Sequence, residues 1–154
     1  ARGTFNSHPY VMGAMQVFLE QLSTPAVQAL YQDLDQIWNQ RANDLNQRLL
    51  ELNLPVQVAN MSSIWTVYYT QPSRYNWMFQ YYLKEQGLAL SWIGTGRFIF
   101  SLNYTAADFA AVQTRFIAAA QAMQADGWWW LAPGASNKGI KRQILKEMLF
   151  SRKK

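Results

Sequence analysis

Apolar residues recur along this chain with two different periods, and each change of period marks a boundary. From Pro9 to about Leu22, the residues Val11, Met12, Met15, Phe18, Leu19 and Leu22 fall on one side of a helix, with Pro9 in the first turn. Ser23-Thr24-Pro25 breaks that helix and starts the next, Thr24 as N-cap and Pro25 at the first helical position. Val27, Leu30, Leu34, Ile37, Trp38, Leu45, Leu49 and Leu52 then keep a three-to-four spacing. They predict one long amphipathic helix up to Asn53, ended by Pro55.

Beyond Pro55 the period changes. Val56 to Ala59 and Ser63 to Tyr69 are rich in β-branched and aromatic residues and predict one or two strands. Ser73 is placed to cap a helix running to Gln86, with Trp77, Phe79, Tyr82 and Leu83 as apolar positions and Gly87 as its stop. Leu88 to Ile93 and Arg97 to Leu102 predict a β-hairpin around Gly94-Thr95-Gly96. Thr105 and Asp108 form a capping box, with Asp in place of Glu, for a helix reaching about Ala125. Its buried face is Phe109, Val112, Phe116, Ala120 and Met123.

That order predicts an α+β fold: a small antiparallel sheet of three to four strands with helices packed on one face, preceded by the long helix. A linker from Asp126 to Ser136 carries Trp128-Trp129-Trp130, which are costly to leave in water and are expected to dock the tail onto the body. Lys138 to Phe150 closes the pattern as a short amphipathic helix, with Ile140, Ile144, Leu145, Met148 and Leu149 on one side.

Composition narrows the chemistry. Half of the 154 residues are hydrophobic, enough for a real core, yet no apolar run approaches a membrane span and no leader peptide is evident. The absence of cysteine excludes disulfides and thiol catalysis and favours a cytoplasmic setting. With His8 as the single histidine, no multi-histidine metal centre can form, and no metal site is expected. Seven basic residues and one acidic residue lie from Asn137 onward, so the remainder is slightly acidic. A basic tail on a near-neutral body does not suggest nucleic acid, and neither nucleic acid nor membrane is expected as a partner.

The residues Arg2-Gly3-Thr4-Phe5-Asn6-Ser7-His8-Pro9 form a loop-to-helix joint, which offers backbone N–H groups and a hydroxyl to an anion. On its own a Gly-Thr pair is a common loop. The longer string resembles the Gly-Thr-x-x-x-Asn/His-Pro segment of class III pyridoxal-phosphate aminotransferases, closest to the glutamate-1-semialdehyde aminomutase-like branch, although Ser7-His8 replaces the usual Gly-Asn. Arg97-Phe98-Ile99-Phe100-Ser101-Leu102-Asn103-Tyr104-Thr105 is similar to that family's Arg-Phe-x-Pro-Pro-Leu-x-x-Thr stretch, with Phe100 and Ser101 in place of the two prolines. Asp126 to Trp130 followed by Asn137 to Arg142 looks like the ending of aminotransferase domains built into polyketide and hybrid peptide synthases.

The resemblance implies the C-terminal portion of fold type I. Residues 1–22 would end the large cofactor-binding domain, 23–126 form the small domain, and 127–154 form a Trp-rich linker and basic tail. It implies pyridoxal 5'-phosphate as the parent cofactor, with Gly3 and Thr4 reaching the cofactor phosphate of the partner subunit. It implies Arg97 as a fork for the substrate carboxylate, although the aminomutase branch often lacks this arginine. The implied partners are an upstream cofactor-binding domain, a second subunit in a homodimer and an acyl carrier protein, where the acceptor is a carrier-bound β-ketoacyl thioester. Cofactor chemistry also needs a Schiff-base lysine and an acidic partner for the pyridine nitrogen, and the family places both before the Gly-Thr motif. No catalytic residue is therefore expected in this chain, which should not transaminate alone. Two alternatives stand beside this reading: a glutamate-1-semialdehyde aminomutase fragment, and a non-catalytic interaction module that uses the Trp-rich basic tail.

Overall fold

The two prolines near the start each open a helix in the computed structural model, which describes residues 8–90, 96–131 and 133–151. The chain divides into two units, residues 1–36 and 37–154. In the first, α1 (Pro9–Leu22) and α2 (Pro25–Tyr31) are separated by Ser23 and Thr24. Thr24 holds the N-cap position, but its hydroxyl donates backward to Gln21 O at 2.7 Å. No residue of α1 or α2 is buried.

The single long helix expected from Pro25 to Asn53 is interrupted. Gln32 turns to an extended conformation and Asp33 adopts φ 55°, so that α3 (Leu34–Glu51) is a separate element. Aspartate tolerates the left-handed region better than most residues, and no glycine or proline announces the break. The apolar period runs through it undisturbed, which is why periodicity alone joins the two helices.

In the second unit α3 buries Trp38, Ala42, Leu45 and Leu49, a stripe with helical spacing. Asn53, at φ 53°, ends the helix as a glycine would. Its N–H donates to Leu50 O and that of Leu54 donates to Leu49 O, both at 2.9 Å. Pro55 then leads into the sheet: β1 (Val56–Met61), β2 (Ile64–Tyr69) and β3 (Arg97–Ile99), antiparallel in the order β1-β2-β3.

Between β2 and β3 a 3₁₀ turn (Asn76–Met78) runs into α4 (Phe79–Glu85). Ser73 does not cap this helix. Its hydroxyl accepts from the Tyr75 N–H at 3.1 Å, three residues ahead of the regular turn. Gly87, at φ 77°, stops α4 as anticipated, and the N–H of Leu88 donates to Leu83 O at 2.8 Å. That bond explains why Leu88 is no strand residue: buried and tied back to Leu83, it completes the end of the helix. The predicted hairpin therefore does not form around Leu88–Leu90. The rest of its first arm and turn, 91–95, lies outside the described residues, and β3 takes β2 as its partner.

The capping box at Thr105 and Asp108 is present and opens α5 (Ala106–Ala125). The five residues predicted for its inner face are all buried. Gly127 closes this helix at φ 75°. The core between sheet and helices is aromatic. Trp38 stacks on Phe100 at 5.2 Å and meets Trp65 and Phe109 edge-on, while Phe79 meets Phe116 at 5.2 Å. Edge-to-face pairs of this kind add to the gain from burial alone.

Arg41 covers the cluster, 4.6 Å above the Trp38 ring and 5.2 Å above that of Phe109, and donates to Tyr104 O. Burial lowers its pKa. In the tail Trp129 is buried against Phe79 and Trp128 lies on Tyr75, but Trp130 is 70% exposed. The last helix, α6 (Asn137–Ser151), is tied to the loop before α4 by an ion pair between Arg74 and Glu147.

Candidate functional site

Alternation along the three strands gives the sheet two unlike faces. Val56 and Val58 from β1, Trp65 from β2 and Phe98 from β3 point into the core. The residues between them point the other way, and the register aligns them in rows: Ala59 opposite Thr66 opposite Arg97, then Met61 opposite Ile64 opposite Ile99. Helices cover the first face. On the second, Met61 is 74% and Ile99 70% exposed.

A cleft of about 340 Å³ opens on this second face, lined by Ala59, Met61, Ile64, Thr66 and Arg97 among others. Arg97, the predicted carboxylate ligand, is exposed at its rim. No carboxylate pairs with it among the described residues, whose single ion pair is Arg74–Glu147. A guanidinium beside an apolar floor and one hydroxyl can take a carboxylate through two parallel hydrogen bonds while the floor receives the apolar body.

The backbone holds this arginine in place from both sides. Gly96 precedes it at φ 63°, and its carbonyl accepts from the Val67 N–H at 3.0 Å. Phe98 and Phe100 follow it, stacked 5.6 Å apart and both buried. Phe100 N–H donates to Ser63 O at 3.0 Å, which prolongs the β2–β3 contact beyond the ladder. With Phe98 and Phe100 anchored inward, Arg97 and Ile99 have to face outward.

Gly3 and Thr4, the predicted phosphate ligands, lie outside the described residues. None of the described lysines Lys84, Lys138, Lys141 and Lys146 lines the Arg97 cleft, and all four are exposed. The described residues therefore place no lysine beside Arg97. They also hold no cluster of three or more metal-ligating side chains. Perturbed titrations fall elsewhere. Burial pushes the Tyr69 hydroxyl up to about 12, hydrogen bonds from Thr105 hold Asp108 low, and Arg74 holds Glu147 low. Each of these groups sits in the core, at a helix cap or in the tail contact, away from the cleft.

Thr66 belongs to no motif of the sequence: alternation from the buried Trp65 turns it to the open face, and the register of β2 with β3 sets it next to Arg97. The structure adds a further residue, Asn46, whose role no local pattern announces. Its side chain binds both backbone groups of Val58 on the free edge of β1.

No protein-family model and no curated protein matches this sequence. Solved structures do. An omega-transaminase from Sphaerobacter thermophilus superposes with a TM-score of 0.61 at 21% identity, over 79% of this chain and 30% of its own. A transaminase with PLP bound gives a TM-score of 0.64, also at 21% identity, over 82% of this chain and 30% of its own. The likeness shows a shared fold, and this chain spans about 30% of the length of each of those proteins. No helix among the described residues is long and apolar enough to cross a membrane.

Proposed function

We propose that this chain is the C-terminal portion of a pyridoxal-phosphate-dependent aminotransferase, which moves an amino group from an amino-acid donor to a keto substrate. The observation that carries this reading is Arg97: an exposed arginine with no carboxylate partner among the described residues, at an apolar cleft on the open face of a sheet whose fold is shared with transaminases. Its part in the reaction is binding and orientation. The guanidinium fork fixes a substrate carboxylate, and Thr66 and the apolar row beside it limit how the rest of the substrate lies.

The cofactor supplies the electron sink of amino transfer when bound. In this reading the lysine that would hold it belongs to another part of a larger protein, and this chain is inactive alone. Gly3 and Thr4 would face the cofactor phosphate of a partner subunit in a homodimer. Within the class III aminotransferases, the tail similarity favours a domain of a polyketide or peptide synthase with a carrier-bound β-ketoacyl acceptor. A glutamate-1-semialdehyde aminomutase is the alternative within that class.

The test is substitution of Arg97 in the intact polypeptide, with amino acceptors that carry or lack a free carboxylate. Arg97→Ala is expected to raise KM for the carboxylate acceptor by about tenfold to a hundredfold, the worth of one charge-assisted fork. KM for the acceptor without a carboxylate should change little. Equal effects on both acceptors, or none on either, would contradict the assignment.

A further inference from the structure

Helix α6 is fixed to the body along one side only. Glu147 is paired with Arg74 and also accepts from Gln143 Nε2, while Ile140 and Ile144 are half-buried on the same side. Ser136 caps the helix start by accepting from the Gly139 N–H at 3.1 Å. The opposite side carries a different set. Leu145 and Leu149, one turn apart, are 59% and 66% exposed. Lys141 flanks them on one side and Arg142 and Lys146 on the other, with Lys138 two turns ahead on the same line. A concavity of about 660 Å³ runs here, lined by Arg142, Leu145, Lys146 and Leu149 among others.

We infer that this face of α6 is a docking seam for an acidic amphipathic helix presented by a partner protein. Charge complementarity selects the occupant. The one acidic residue of α6, Glu147, is turned to the body and neutralised there, so the outward face offers cations alone. None of its four cations has a carboxylate partner among the described residues. The sequence adds Arg152, Lys153 and Lys154 just beyond, against a remainder of the chain that is slightly acidic.

The pattern also separates a helix from a lipid surface. Leu145, Leu149 and the exposed Met148 share this side with Lys141 set among them and Arg142 and Lys146 on the far flank, so that cations interleave with the apolar seam, as where one helix reads the charges of another. A membrane-lying helix instead segregates its charges from a broad apolar face. This inference stands apart from the aminotransferase reading, and its failure would leave that reading untouched.

The experiment uses the full chain and a fluorescent helical peptide with leucines along one seam and glutamates beside them, followed by anisotropy. A peptide with lysine for glutamate and vesicles containing phosphatidylserine are the comparison ligands. The acidic peptide should bind about tenfold or more tighter than its basic counterpart, and rising salt should weaken it. Leu145→Ala with Leu149→Ala, and separately Lys141→Glu with Arg142→Glu, should each reduce affinity about tenfold. Lys84→Glu, on α4, should leave it unchanged. Circular dichroism checks that the variants keep their helices, and the charge-reversal pair decides the matter if the leucine pair does not. The proposal is overturned by equal binding of both peptides, or by α6 variants that bind as the parent does. Vesicle binding without peptide binding, or a chain that pairs only with itself through Leu145 and Leu149, would overturn it too.

Discussion

Asn46 of α3 closes the free edge of the sheet by holding both backbone groups of Val58. Its Nδ2 donates to Val58 O, and the Val58 N–H donates to its Oδ1, each at 2.8 Å. One side-chain amide thus does what a neighbouring strand would do, at a residue whose own side chain is buried. Asn46→Ala should leave two backbone groups to be satisfied by water at a partly covered edge, a loss of about 2 kcal/mol in urea unfolding. Asn46→Asp should fare no better, because a carboxylate accepts from the Val58 N–H but repels its carbonyl. Stability unchanged within about 0.5 kcal/mol would show that the edge needs no clamp.

The entry into β3 rests on Gly96 at φ 63°. A Cβ added there would come 3.9 Å from Val67 O, so space is available and only the backbone conformation is strained. Gly96→Ala is expected to cost about 1–2 kcal/mol. It should also move Arg97 relative to Thr66, lowering carboxylate affinity without removing any ligating group. Unfolding and substrate titration on the same variant would separate the two effects, and loss of neither would contradict the role given to Gly96.

Acid should loosen α5 and the tail contact together. The Asp108 carboxyl is held low first by the Thr105 hydroxyl and then by its backbone N–H, and Glu147 is held low first by the hydrogen bond from Arg74. Both folded pKa values lie below the unfolded ones, so both contributions are present above about pH 4 and are lost as pH falls through the depressed values. The groups are exposed, so the loss should be modest and should shrink in high salt. Asp108→Asn should flatten the acid limb of a stability-against-pH curve, and an unchanged limb would count against the capping box as its source.

Helix α1 presents Tyr10, Val17, Phe18 and Leu19 to solvent, each more than half exposed. An apolar surface of that kind drives association. The isolated chain should grow in apparent mass with concentration in light scattering, and Phe18→Glu with Leu19→Lys should suppress the growth. A monodisperse monomer at high concentration would contradict this.

Much of the fold was legible because its boundaries are chemical. Pro9, Pro25, Gly87 and the Thr105–Asp108 pair act through local backbone geometry, and each does in the structure what its type predicts. Asp33 was not legible, since the break it makes leaves the apolar period intact. Nor was the pairing of β3 with β2, which depends on Leu88 being spent on the end of α4. For the candidate site, alternation was enough to turn Arg97 away from the core. Its row-mates Ala59 and Thr66 required the register, which depends on how β1, β2 and β3 meet. Asn46 required knowing which strand lies at the edge.

The most direct test of the account is to find the lysine that holds the cofactor. The isolated chain, and the intact polypeptide proposed to contain it, would each be incubated with pyridoxal phosphate, reduced with borohydride and mapped by mass spectrometry. Scattered, weak labelling of exposed lysines such as those of α6 is predicted in the isolated chain, and stoichiometric labelling of one lysine outside this sequence in the intact polypeptide. Stoichiometric labelling of Lys84 or of any α6 lysine, or an intact polypeptide with no labelled lysine at all, would contradict it.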